Sequence, residues 1–171
     1  MNSASNESVF DEVKKKVDQN PNDAEALYHL ADLYDRNEQY VEAIDTYKKV
    51  IALKPKMGYA YFKMGTAYNR INHPAEAVDA FNKAIELMPE NAVAYNNLGV
   101  AYGKLGMFDK EIAALKKAIG IRPSYSSARY NLGMTYIKTG NKKAAVKEYQ
   151  TLKNLDESVA EALLQEINRS S

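Results

Sequence analysis

Residues 92–125 read AVAYNNLGVAYGKLGMFDKEIAALKKAIGIRPSY. Tyr95, Leu98, Gly99 and Tyr102 fall at i, i+3, i+4 and i+7, which is one face of a helix. Gly106 interrupts that pattern. A second one follows, with Ile112, Leu115, Ala118 and Ile119 on one face. Pro123 ends it, because proline cannot continue a helix and biases the residue before it away from helical geometry. The spacing predicts two short helices joined by a tight turn.

The same unit recurs at a shift of 34 residues. Tyr34, Tyr68, Tyr102 and Tyr136 stand in register, as do Leu30, Met64, Leu98 and Leu132. Small residues follow the latter: Ala31, Gly65, Gly99 and Gly133. Tyr47, Phe81, Leu115 and Tyr149 hold one bulky position in the second helix, and Pro55, Pro89 and Pro123 close three copies. Ala43, Ala77 and Ala145 hold a small position, and Glu111 breaks that series. Read as a misfit, Glu111 is expected to shift its helix slightly and send its carboxylate to solvent.

This set of positions resembles the tetratricopeptide repeat family, over four copies from Ala24 to about Asp156. The resemblance implies an all-α solenoid, a right-handed superhelix of helix-turn-helix repeats with a capping helix at each end. It also implies that the first helices of successive repeats line a concave groove. The expected boundaries are 1–8 as a disordered N-terminus and 9–23 as a half-repeat or capping helix. The repeats follow at 24–57, 58–91, 92–125 and 126–157, and a C-terminal capping helix at 158–168. Val9 and Pro21 match Ala43 and Pro55 at the repeat shift, so the first helix reads as the second half of a degenerate copy. Asn22 and Asp23 offer helix caps, and Asn37 is the expected left-handed residue of the first turn. The last residues, from Arg169, are expected to fray.

Composition bounds the function. The chain has 171 residues, a net charge of +1 and no cysteine. A balanced charge offers no field for nucleic acid, and without thiols there is no disulfide framework or thiolate metal site. No apolar run is long enough for a membrane span. A soluble chain is expected, and a cytoplasmic one is the default. His29 and His73 lie in different repeats and form no metal-binding spacing, and no phosphate loop, dinucleotide fingerprint or nucleophile elbow occurs. The sequence names no cofactor, no metal and no catalytic residue, so a non-enzymatic scaffold is expected.

Most of the thirteen tyrosines fall on repeat core positions. Tyr28, Tyr59 and Tyr130, with Phe62, fall on the expected groove face. The partner-binding candidates on that face are Tyr59, Phe62, Lys63, Arg70, Asn96, Asn97, Val100, Lys104, Tyr130, Asn131, Met134 and Lys138. Asn97 and Asn131 recur at the repeat shift, and an amide there can grip a peptide backbone with donor and acceptor together. Arg36, Arg70, Lys104 and Lys138 make a basic ladder. Copy one adds Glu25, Asp32 and Asp35, while the groove positions of the later copies carry no acid. The expected ligand is therefore a protein or peptide segment, acidic and partly apolar, docked toward the C-terminal copies. The lysine-asparagine clamp by which some family members hold chaperone C-termini does not fit these positions. The alternatives are self-assembly, as in some bacterial organelle-associated members of the family, and a repeat segment of a larger protein. Two glycines separate the faces: Gly99→Leu is expected to destabilise, and Gly103→Leu, on the groove side, to be milder.

Overall fold

The computed structural model describes residues 3–170, with side chains from residue 9 onward. Among the described residues there are ten helices and no strand. The chain divides into two compact units at Pro89 and Glu90.

The first unit contains α1 (Ser3–Gln19), α2 (Ala24–Arg36), α3 (Tyr40–Leu53), α4 (Gly58–Arg70) and α5 (Pro74–Leu87). Helix α1 takes in six residues of the segment expected to be disordered, starting at Ser3. No proline or glycine separates Ser3 from Phe10, so nothing in the backbone stops the helix there. Met1 and Asn2 lie outside the described residues. Asp23 caps α2, accepting from the amides of Glu25 at 2.9 Å and Ala26 at 3.1 Å. Pro74 opens α5 at a position where a missing N–H costs least. The core of this unit is Leu27, Ala31, Ala43, Tyr47, Val50 and Ala60, with Val17 of α1 packed against it. Phe10 meets Tyr34 edge-on at 5.2 Å, which docks α1 on α2.

The second unit contains α6 (Ala92–Lys104), α7 (Phe108–Ile121), α8 (Ser126–Lys138), α9 (Lys142–Leu155) and α10 (Glu157–Arg169). Asn91 caps α6 through the amides of Val93 and Ala94, both at 3.1 Å. Where a proline ended the earlier copies, this one has Glu157, and α10 starts there after a single linking residue, Asp156. That aspartate caps α10 through the Val159 amide at 3.2 Å. Leu163 and Ile167 of α10 join Ala145, Leu152 and Ala160 in one cluster, so the last helix covers the apolar face of the final pair. Ser171 lies outside the described residues.

One turn differs from its expected form. The left-handed turn residue of the first copy is Glu38, at φ 59°, and not Asn37, whose φ is −86°. Glu38 stands in register with Asn72, Gly106 and Gly140, all with positive φ. The small residues Gly65, Gly99 and Gly133 do mark close approach. A Cβ on them would lie 2.9 Å from Phe81, 2.9 Å from Leu115 and 2.6 Å from Leu163 respectively.

Candidate functional site

In the first unit, α2 and α4 lie side by side, and their exposed faces carry the candidates of copies one and two. Lys63 is not available as an isolated cation. Its Nζ sits 2.7 Å from Asp32 and 3.8 Å from Asp35. Arg36 holds the other oxygen of Asp32 at 2.7 Å. Burial alone would raise the Asp32 carboxyl, but Lys63 and Arg36 hold it below its ordinary range. Burial also pushes Asp35 up, and Lys63 only partly offsets this. The expected basic position at Lys63 is thus neutralised by copy one, because residues one repeat apart on adjoining helices meet. A cleft of about 530 Å³ opens beside this cluster, lined by Val9 and Val13 of α1 and by Tyr28, His29, Asp32, Leu33, Arg36 and Lys63.

The aromatic candidates of this unit divide. Tyr59 is 60% exposed. Phe62 is half-buried and lies 6.1 Å from Phe81. Tyr28 meets Tyr47 edge-on at 5.8 Å. Phe62 and Tyr28 therefore shield the stack, while Tyr59 projects. Arg70 is exposed at the end of α4.

In the second unit, α6 and α8 lie side by side. Asn96, expected on the open face, is buried at 6% exposure. It joins the two helices: Asn131 Nδ2 donates to Asn96 Oδ1 at 3.0 Å, and Asn96 Nδ2 donates to Asn97 Oδ1 at 3.1 Å. The expected pair of independent amides is instead one chain of three. These bonds use the Asn97 oxygen and turn the Asn131 nitrogen inward, which directs the Asn97 nitrogen and the Asn131 oxygen to the two ends. Tyr130, Met134 and Ile137 are half-buried against the terminal cluster. Lys104 and Lys138 are exposed at the ends of α6 and α8. Arg129 is turned away, bonded to Glu148 at 3.0 Å and to the Pro123 carbonyl at 3.0 Å.

Glu111 contradicts its reading from sequence. Its side chain does not reach solvent, and the residue is only 5% exposed. From α7 it reaches under the α6–α8 face, so an acid enters a face whose own helices carry none. The carboxyl lies over Gly103, where a Cβ would sit 2.6 Å from both oxygens. Gly103 is therefore not an open position, and the expectation that Gly103→Leu is mild does not hold. Among the described residues Glu111 Oε2 has no hydrogen-bond partner. Burial pushes this carboxyl above its ordinary range, while the Thr135 hydroxyl and the charge of Lys138 pull it back. Glu111 lines a cleft of about 210 Å³ with Val100, Gly103, Lys104, Asn131, Met134 and Lys138. The only sequence signal for it was the break in the alanine series.

Among the described residues no helix is long and apolar enough to cross a membrane. No cluster of histidine, cysteine or carboxylate residues suited to a metal occurs among them.

Comparison with known proteins places this architecture. The tetratricopeptide repeat profile matches residues 24–57, 92–125 and 126–159, and a TPR repeat profile matches 75–106. No curated protein sequence matches the chain significantly. Among solved structures, a crystal structure of MamA is 30% identical, with 92% of each chain covered and a TM-score of 0.87. MamA from Desulfovibrio magneticus, from residue 41 to its end, is 25% identical over 90% of this chain and 87% of that one, with a TM-score of 0.86. YrrB, described as a TPR protein with an unusual peptide-binding site, is 22% identical over 95% and 84%, with a TM-score of 0.83, and shows the fold alone. The chain belongs to the tetratricopeptide repeat family, an all-α solenoid fold that serves as a protein-interaction scaffold and is typically non-enzymatic.

Proposed function

We propose that the chain holds an extended, acidic and partly apolar segment of a partner protein on the exposed face of α6 and α8. The observation that carries this reading is the composition of that face. Helices α6 and α8 contain no aspartate or glutamate, end in Lys104 and Lys138, and set the asparagine chain beside Val100 and Met134. Cations there would speed encounter and set salt sensitivity, and apolar contacts would set lifetime. The end groups of the amide chain supply one donor and one acceptor for a backbone. The first unit offers a different surface, since Asp32 and Asp35 neutralise Lys63. That difference favours docking of an acidic segment on the second unit. YrrB carries a peptide-binding site by its own description, which is compatible with this use of the fold.

Selection of a displayed random-peptide library on the immobilised chain tests the reading. Enriched peptides should combine acidic and apolar residues. They should bind more weakly as salt rises, and lose affinity in a Lys104→Glu, Lys138→Glu variant that remains folded. Enrichment of basic peptides, or binding indifferent to that variant, contradicts it. Sedimentation across concentration checks the self-assembly alternative: a monomer throughout the range sets it aside.

A further inference from the structure

The cleft above Glu111 has a more specific chemistry than the face around it. At about 210 Å³ it is smaller than a small-molecule site, which runs from about 300 Å³ upward. It suits a single side chain. Three corresponding positions in the other copies, Ala43, Ala77 and Ala145, are completely buried alanines. Here the same position holds a carboxyl, and Gly103 lacks the Cβ that would displace it. A buried oxygen without a partner costs the full desolvation of the group. A ligand group that donates to the carboxyl would recover that loss.

We infer that Glu111, Asn131, Lys104 and Lys138 form a subsite for a primary carboxamide, the side chain of a glutamine or asparagine in the docked segment. This rests on the docking face proposed above and specifies one contact within it. Two residues that line the cleft carry acceptors: Glu111 its carboxyl, and Asn131 its Oδ1, the Asn131 nitrogen being turned to Asn96. Lys104 and Lys138 line it as well and carry donors, and the charge of Lys138 is felt by the Glu111 carboxyl. A carboxylate ligand brings no N–H for the acceptors, and an ammonium ligand brings no acceptor for the lysines. An apolar side chain leaves the Glu111 oxygen unpaired. A primary amide carries two N–H donors and a carbonyl in one plane, so it serves both sets at once. Val100 and Met134 supply apolar wall for its methylenes. Glu111 keeps an acceptor oxygen in either protonation state, so the match does not depend on its charge.

The test is a nitrogen-15 correlation titration of the full chain with propionamide, propionate and propylammonium as separate probes. Propionamide should move the Gly103 amide and the Asn131 side-chain signals saturably. Glu111→Ala should weaken that response about tenfold, and Glu111→Gln, which keeps an acceptor oxygen, should retain it. Glu111→Ala restores the residue of the other copies, so it is expected to fold, and its melting curve verifies this. An unchanged response in Glu111→Ala overturns the inference. So does tighter binding of propionate, which marks an anion site, or of propylammonium, which marks a cation site. If acidic peptides bind α6 and α8 while propionamide is silent, the subsite falls and the docking face stands. If propionamide binds while no peptide uses the face, the amide site stands and the docked segment as its source is overturned.

Discussion

The contact between Gly103 and Glu111 gives the sharpest energetic prediction. A methyl group at Gly103 would lie 2.6 Å from both carboxyl oxygens and 2.7 Å from the carboxyl carbon. The carboxyl is the far end of a flexible side chain, but its residue is only 5% exposed, so moving it disturbs its neighbours. Such overpacking costs about 1–3 kcal/mol. Against this, alanine is about 1 kcal/mol better than glycine inside a helix. Gly103→Ala should therefore destabilise the parent by about 0–2 kcal/mol. In a Glu111→Ala background the clash is gone, and the same change should stabilise by about 1 kcal/mol. The coupling between the two positions is the overpacking contribution itself, about 1–3 kcal/mol, favouring the double variant over the sum of the singles. Urea denaturation of the four proteins at neutral pH measures it, provided the slopes agree. Additivity within about 0.5 kcal/mol would refute the placement of Glu111 over Gly103.

Three further outcomes follow from the same structure. Tyr47 is fully buried and its hydroxyl has no partner among the described residues, so Tyr47→Phe should raise stability by about 1 kcal/mol; a lower urea midpoint would show that the hydroxyl is satisfied. Glu38 sits at φ 59° where copies three and four have glycine, and a left-handed non-glycine residue costs about 1–2 kcal/mol, so Glu38→Gly should stabilise after the flexibility of glycine is subtracted; a drop in midpoint opposes it. Burial holds Glu111 above its ordinary value of 4.5, with Thr135, Lys138 and the nearby Lys104 as the groups that face it. A raised carboxyl favours its protonated form in the fold, so its contribution is fully present below 4.5 and lost as pH rises through the folded value. Glu111→Gln should thus match the parent in melting temperature near pH 4 and exceed it at neutral pH; the opposite trend would mean that the buried carboxylate is well compensated.

Repetition made the fold legible in the sequence. A 34-residue period in about eight positions leaves one way to pair the helices, and the cap at Asp23 and the glycine contacts agree with it. Register also assigned the exposed face, because residues one period apart occupy equivalent places. It did not tell which of those residues use each other. Lys63 meets Asp32 only because α2 and α4 adjoin, and Asn96 links α6 to α8 for the same reason. Both facts depend on distances across the stack, which a single-copy pattern does not encode. Glu111 was visible as an exception, but the direction of its side chain depends on the space left by Gly103 in a different helix.

The central claim is that the exposed face of α6 and α8 is where the partner docks. Site-specific photo-crosslinking in cells that express the protein tests it most directly. A photoreactive residue is placed in turn at Asn97, Tyr130 and Lys138 on that face, and at Lys117 and Lys147 on exposed positions of α7 and α9. Crosslinks to one partner protein are expected at the first three positions and should be lost in a folded Lys104→Glu, Lys138→Glu variant. Crosslinks that concentrate at Lys117 and Lys147, or that join the chain to a second copy of itself, would contradict it.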